Sequence, residues 1–259
     1  MSTHPAALVT GASSGIGAAT AAALVDKGFV VVGTSRNASK AAPVEGVTMV
    51  DLDITTDVAV TTVVEGLVTD HGRIDVLVNN AGIGAAGAAE ESSIGQAQHI
   101  FDVNVFGAMR MINAVLPHMR RQGAGRIVNV SSVLGLVPAP YMALYSATKH
   151  ALEGYCESVD YEVREHGVRV VLVEPAYTKT GFEANALTAD QPLDLYDARR
   201  ASFNQLAVSA IDSGDAATTS RPRLRYPAGS VTRQVTLLRR FAPAAAFDKQ
   251  IRKLNKLPA

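Results

Sequence analysis

Cysteine is almost missing from this chain of 259 residues. Cys156 stands alone, which excludes an intramolecular disulfide and fits a reducing, cytoplasmic compartment. An excess of charge is missing as well: 24 basic side chains face 24 acidic ones, for a formal net charge of zero. No global field therefore draws the chain to nucleic acid or to an anionic membrane. No apolar run reaches the roughly 20 residues of a membrane span. The opening Met1-Ser2-Thr3-His4-Pro5 has no basic stretch followed by an apolar core, so it does not read as a signal peptide. The 6 histidines lie far apart without metal-ligand spacing, which argues against a zinc site. Internal repeats and low-complexity linkers are missing too, so a single domain over 1–259 is expected, long enough to bury a substantial core.

What is present is an alternation of short apolar runs with longer helical segments. Ala6 to Thr10, Phe29 to Thr34, Gly46 to Val50, Ile74 to Asn79, Arg126 to Val130 and Val168 to Val173 read as strands. Arg223-Leu224-Arg225-Tyr226 reads as a short last one. Between them, the Ala-rich segment up to Lys27-Gly28 and the segments 94–122 and 143–164 read as helices, the second as one continuous helix packed through Ile100, Met109, Ile112, Val115 and Met119. Gly84 to Ala89 reads as loop. Six strands alternating with helices imply an α/β fold, a doubly wound parallel sheet of the Rossmann type with right-handed crossovers. Residues 176–212 contain a long segment without periodicity as far as Leu195, the pattern of a substrate loop or lid, and then a helical stretch from Asp197 to Ile211.

Several stretches carry chemistry. Gly11, Ser13, Ser14, Gly15, Ile16 and Gly17 form a glycine turn between the first strand and its helix, where backbone N–H groups and a helix N-terminus favour phosphate. After the second strand, where a carboxylate would read the 2′-hydroxyl of NAD, the chain has Ser35 and Arg36. A guanidinium suits a 2′-phosphate, so NADP(H) is expected in preference to NAD(H). Asp53, followed by Ile54, either accepts from an adenine amino group or shapes the turn before the next helix. Small residues in Asn80-Ala81-Gly82 leave room for a ligand at the sheet edge, with Asn79 bracing the turn. Asn104, polar inside an apolar helix, needs a partner, either a local backbone carbonyl or a water. Ser132, just past a strand, either donates to a substrate oxygen or serves the turn. Tyr145 and Lys149, four apart on one helix, share a face, and an ammonium near a phenol makes it a more competent acid or base. From Arg233 to Lys256 the chain alternates basic and apolar residues, either a helix packed on the body or on a second subunit, or a membrane-contacting face.

Taken in order, these motifs resemble the short-chain dehydrogenase/reductase family over about residues 6–180. Thr10-Gly11-x-x-x-Gly15-Ile16-Gly17 is similar to its cofactor loop, Asn80-Ala81-Gly82 to the motif after the fourth strand, and Asn104, Ser132, Tyr145 and Lys149 to its catalytic positions. The resemblance implies Tyr145 as acid in carbonyl reduction and base in alcohol oxidation, with Lys149 lowering its pKa and holding the nicotinamide ribose. It implies Ser132 as the donor that polarises the substrate oxygen, and Asn104 as support for a water in a proton relay. It also implies cofactor contacts at Pro175, Ala176, Thr178 and Thr180. The wording around Tyr145, Arg36 and Val173-Glu174-Pro175 looks most like the branch with 17β-hydroxysteroid and retinol dehydrogenases. That branch implies an apolar alcohol or ketone as substrate, and the long helices at 94–122 and 141–166, which resemble those that pair subunits in the family, imply a homodimer or homotetramer. Two features depart from the pattern: Ala176 replaces the usual glycine, and the stretch 214–222 leaves little room for a helix before the last strand. Against this reading stand an NADP(H)-binding sensor without turnover and an enzyme of the same fold performing dehydration or epimerisation.

Overall fold

The computed structural model describes residues 4–176, Phe182, 185–198 and Arg200, together with the backbone of Arg225–Ala228. Thr178, Thr180, most of the 196–212 stretch, the short 214–222 segment and the basic tail from Arg233 to Lys256 lie outside the described residues.

Among the described residues, nine strands and five α-helices follow in chain order. They are β1 (Ala6–Val9), α1 (Gly15–Asp26), β2 (Val30–Ser35), β3 (Val47–Asp51), α2 (Asp57–His71), β4 (Val76–Asn79), β5 (Ala85–Ala86), α3 (Ile94–Phe101), α4 (Gly107–Gln122), β6 (Gly125–Val130), α5 (Ala143–Val163), β7 (Val168–Pro175), β8 (Leu187–Thr188) and β9 (Arg225–Ala228). Seven strands form one parallel sheet in the order β3-β2-β1-β4-β6-β7-β9. The order runs outward in opposite directions from β1 and β4, which opens a crevice beyond the carboxyl ends of those two strands.

Both faces of the sheet are covered, which is why its strands are apolar on both sides. Leu8, Leu77, Ile127 and Leu172 point toward α2, α4 and α5 and join Val64, Met111, Ile112, Val115, Leu152 and Cys156 in one cluster. Each fully buried Leu or Ile there contributes roughly 1.5–3 kcal/mol. Ala7, Val9, Val78, Val128 and Val171 point the other way, onto Ala21 and Leu24 of α1. A buried charge anchors α5 to β7: Asp160 accepts from Arg164 at 2.5 Å, from Arg169 at 2.9 and 3.2 Å and from the Val170 N–H at 2.9 Å. Burial alone would push its carboxyl up, but the bonds from Arg169, Val170 and Arg164 outweigh burial and hold it below the usual carboxylate range.

Three sequence expectations change. The helix over 94–122 is interrupted: Asp102–Phe106 winds as a π-helix between α3 and α4, with the Gly107 N–H bonded to the Asp102 carbonyl. The interruption falls on Asn104, the polar residue of the apolar pattern, as such bulges tend to do near functional sites. The stretch 84–89 is not wholly loop, because Ala85–Ala86 pairs in parallel with Leu187–Thr188. That pairing gives the non-periodic segment after β7 a strand of its own, followed by a short helical turn at Asp194–Tyr196. The last strand, Arg225–Ala228, runs two residues past the expected end at Tyr226 and pairs with β7, while Arg223 and Leu224 lie outside the described residues. Of the expected helix at 197–211, Asp197, Ala198 and Arg200 are helical and the remainder lies outside the described residues. Among the described residues no helix is long and apolar enough to cross a membrane, and no group of three or more metal-ligating side chains gathers.

Candidate active site

The turn after β1 lies at the crevice. Gly11 and Gly15 have φ of +65° and +54°, a region that side-chain-bearing residues avoid. Gly17 is required for a different reason: a β-carbon there would stand 2.2 Å from the Gly11 carbonyl oxygen and 2.4 Å from Asn80 Nδ2. The neighbouring strand end locks this turn. Asn80 Nδ2 donates to the carbonyls of Thr10 and Gly11, both at 3.0 Å, while Thr10 Oγ1 accepts from the Asn80 and Ala81 N–H groups at 3.0 Å. Ser14 occupies the N-cap of α1 without a side-chain capping bond, and no acidic residue stands in the first turn. The N–H groups of that turn and the positive end of the helix dipole therefore fit an anionic group such as a diphosphate.

Ser35 and Arg36 close β2 on the same side. Ser35 Oγ accepts from the Asn37 N–H at 3.1 Å, and Arg36 is exposed. Asp53 Oδ1 accepts from the Thr55 N–H at 2.9 Å and from its hydroxyl at 2.7 Å, which shapes the turn before α2. Those two bonds from Thr55, assisted by the charges of Arg36 and Arg110 against a small opposing effect of burial, hold its carboxyl below the usual range. Ile54 is buried beside α4, where its side chain occupies the space a β-carbon on Gly107 would need. Pro175 ends β7 buried, and Ala176 follows half-buried. Asn79 braces strands rather than a turn, donating to Asn129 Oδ1 of β6 at 2.9 Å.

A row of polar side chains lies beyond β6, on the face that α5 presents to the sheet. Tyr145 is 8% exposed and Lys149 6%. The Lys149 Nζ stands 5.6 Å from the centre of the Tyr145 ring and donates to the Val130 carbonyl at 2.8 Å. Burial pushes the Lys149 ammonium down to about 8 against the opposing charge of Glu153. Ser132, also buried, caps the short helical turn Val133–Gly135 by accepting from the Leu134 N–H at 3.1 Å. Accepting that bond leaves its hydroxyl proton to donate elsewhere.

Asn104 has the backbone partner expected of it. Its Oδ1 accepts from the Ile83 N–H at 2.8 Å; its Nδ2 donates to the Ile83 carbonyl at 2.8 Å and to Thr148 Oγ1 at 3.2 Å. The side chain is thus engaged in holding Ile83 against α5. Sequence reasoning misses Thr148, though it sits beside Lys149 in the run that carries Tyr145. It is fully buried and donates to the Tyr145 carbonyl at 2.8 Å, so it joins the π-helix to the catalytic candidate's own backbone. The apolar wall escapes sequence reasoning as well. Tyr145 belongs to an apolar cluster with Ala85, Val133, Leu134 and Val137, against which Met142, Leu187 and Phe182 pack, the Phe182 ring lying 5.7 Å from its own. No local pattern signals that wall, because β5 and β8 come together only through a pairing across about 100 residues of chain.

Known proteins resemble this chain throughout its described core. The family model described as short chain dehydrogenase matches residues 5–191. The 3-ketodihydrosphingosine reductase of Bacteroides thetaiotaomicron is 42% identical over 178 residues, which is 69% of this chain and 65% of that relative's own length. A solved short-chain dehydrogenase from Streptomyces avermitilis is 32% identical and has a TM-score of 0.82, covering 99% of this chain and 96% of its own. The structure of ElxO with NADP bound is 31% identical with a TM-score of 0.66, over 69% of this chain and 75% of its own.

Proposed function

Because the chain belongs to the short-chain dehydrogenase family of oxidoreductases, we propose that it interconverts a secondary alcohol and a ketone, or a primary alcohol and an aldehyde, with NADP(H), using Tyr145 as general acid and base. The observation that carries this reading is the row formed by Ser132, Tyr145 and Lys149: a phenol, a buried cation 5.6 Å from its ring, and a serine hydroxyl on the adjoining strand end. The cofactor supplies the hydride when bound.

The chain's own groups do the rest. In reduction the Tyr145 hydroxyl gives its proton to the developing alkoxide; in oxidation the phenolate takes a proton from the alcohol. The Lys149 cation favours phenolate and would hold the cofactor's ribose, and the Ser132 hydroxyl donates to the substrate oxygen in both directions. Asn104 is a positioning residue in this scheme, fixing Ile83 and, through Thr148, the start of α5. Gly11, Ser13, Ser14, Gly15, Ile16 and Gly17 would hold the diphosphate of the bound cofactor, with Asn80, Ala81 and Gly82 as further contacts. Ser35 and Arg36 would take the 2′-phosphate, and Asp53 and Ile54 would contact the adenine. NADP bound to ElxO supports this choice of cofactor. An apolar substrate is supported by the wall of Val133, Leu134, Met142 and Phe182 around Tyr145, and by a relative named as a 3-ketodihydrosphingosine reductase.

Titration with NADPH and NADH, followed by a carbonyl panel on the tighter cofactor, tests the reading. Preference for NADPH with turnover is expected. Arg36→Asp should weaken NADPH binding at least about tenfold, as loss of a charge-assisted contact of roughly 1.5–3 kcal/mol implies. An unchanged ratio of kcat/KM for the two cofactors removes Arg36 from the site.

A further inference from the structure

One buried acid beside this row has no part in the steps above. Glu153 lies on α5 one turn beyond Lys149 and is 4% exposed. A carboxylate so far from water is costly unless a cation or hydrogen bonds compensate it. At i, i+4 spacing Glu153 and Lys149 share one dry helix face, so each charge lowers the cost of the other. Glu153 is also the largest influence raising the Lys149 pKa against burial.

Its carboxyl end reaches across to the serine turn. A β-carbon on Gly135 would stand 2.9 Å from Glu153 Cγ, 3.0 Å from its Oε1 and 2.8 Å from Ser131 Oγ. The missing side chain at Gly135 is therefore what admits the acid. Gly135 ends the helical turn that Ser132 begins, so a single side chain bears on both the lysine helix and the serine turn. Other groups that face Lys149 are Tyr145 and Cys156 on α5 and the Val130 carbonyl of β6. Glu174, fully buried at the end of β7, lies on the sheet face that α5 covers.

We propose that Glu153 is a positioning residue of this reaction, a buried carboxylate that holds Lys149 as a cation and braces the turn carrying Ser132. The proposal rests on the roles given above to Tyr145, Lys149 and Ser132. Its test is read first without turnover. The full chain, labelled with ε-13C-lysine, is titrated by NMR as wild type and as Glu153→Gln, with the Lys149 signal assigned through Lys149→Arg. Removing the negative charge should lower the Lys149 midpoint by about one pH unit. If Glu153→Gln does not fold, Glu153→Asp, which withdraws the charge by one methylene, should give a smaller shift in the same direction. A wild-type midpoint in the folded variant overturns the proposal.

Kinetics then distinguish positioning from mere structure. On any carbonyl that the wild type reduces, Glu153→Gln should lose about tenfold in kcat at unchanged NADPH affinity, and its alkaline limb should move to lower pH. Loss confined to KM or to thermal stability overturns the proposal as well. A wild type that binds NADPH yet reduces no carbonyl refutes the proposed activity instead, and the NMR titration then decides whether Glu153 holds the lysine as a cation.

Discussion

The glycine turn after β1 and the polar row along α5 lie beyond the carboxyl ends of strands in one sheet, yet they are built by opposite means. In the turn, the chain removes side chains: Gly11 and Gly15 take φ values closed to other residues, and Gly17 lies where a β-carbon would meet backbone. The exposed N–H groups that result are a property of the backbone, held in shape by Thr10 and Asn80. Along α5 the chain does the reverse and drives long polar side chains into a dry face, so that Lys149 is as buried as the core around it. A backbone site tolerates no added atoms. A buried polar row tolerates no lost partners. The two regions should therefore fail in different ways.

The largest effect is expected from Tyr145→Phe, which removes one oxygen and leaves the turn untouched. Turnover should fall by about a thousandfold or more, the scale of general acid–base catalysis, while NADPH affinity stays within about threefold. Stopped-flow reduction and a fluorescence titration on the same sample check both halves, and substantial residual turnover contradicts the role given to Tyr145.

Gly17→Ala should do the opposite. Its methyl group would lie 2.2 Å from the Gly11 carbonyl oxygen, so the turn has to move. NADPH affinity should fall by about a hundredfold, with a stability loss of roughly 1–3 kcal/mol typical of overpacking. Binding and melting like the wild type would show that the turn is softer than its geometry implies.

The smallest effect concerns the row alone and appears as a pH dependence. Lys149 titrates near 8 in the fold against 10.5 when free, so between those values the unfolded chain binds the additional proton. Stability therefore rises with pH across that window, and below about 8 the full cost of the buried cation, roughly 3 kcal/mol, is present. Lys149→Met should abolish this rise. Parallel denaturant titrations of wild type and variant between pH 7 and about 10.5 measure it, and parallel curves would place the lysine in water.

Much of this is legible without coordinates, for reasons that differ between the same two regions. The strand ends, the glycine turn and the i, i+4 pair on α5 depend on short stretches of chain, so period and residue type suffice to place them. The π-helix does not announce itself, because Asp102–Phe106 keeps the apolar pattern of an ordinary helix, and the partners Asn104 finds there, Ile83 and Thr148, come from distant parts of the chain. Asn79 reads as a turn residue in sequence for the same reason: its partner, Asn129, is 50 residues away. The pairing of Ala85–Ala86 with Leu187–Thr188, and the apolar wall it completes, is equally hidden.

By itself, then, the amino-acid order determined six of the seven strands of the large sheet, where the backbone must pass without side chains, and that a tyrosine and a lysine share a helix face. Those follow from local geometry and repeat spacing, which act within a few residues. Tertiary structure alone decided that Lys149 is dry, that Asn104 is fully engaged, and which apolar residues surround Tyr145. Burial and hydrogen-bond satisfaction are sums over neighbours brought from distant parts of the chain, and only the folded sheet brings them together.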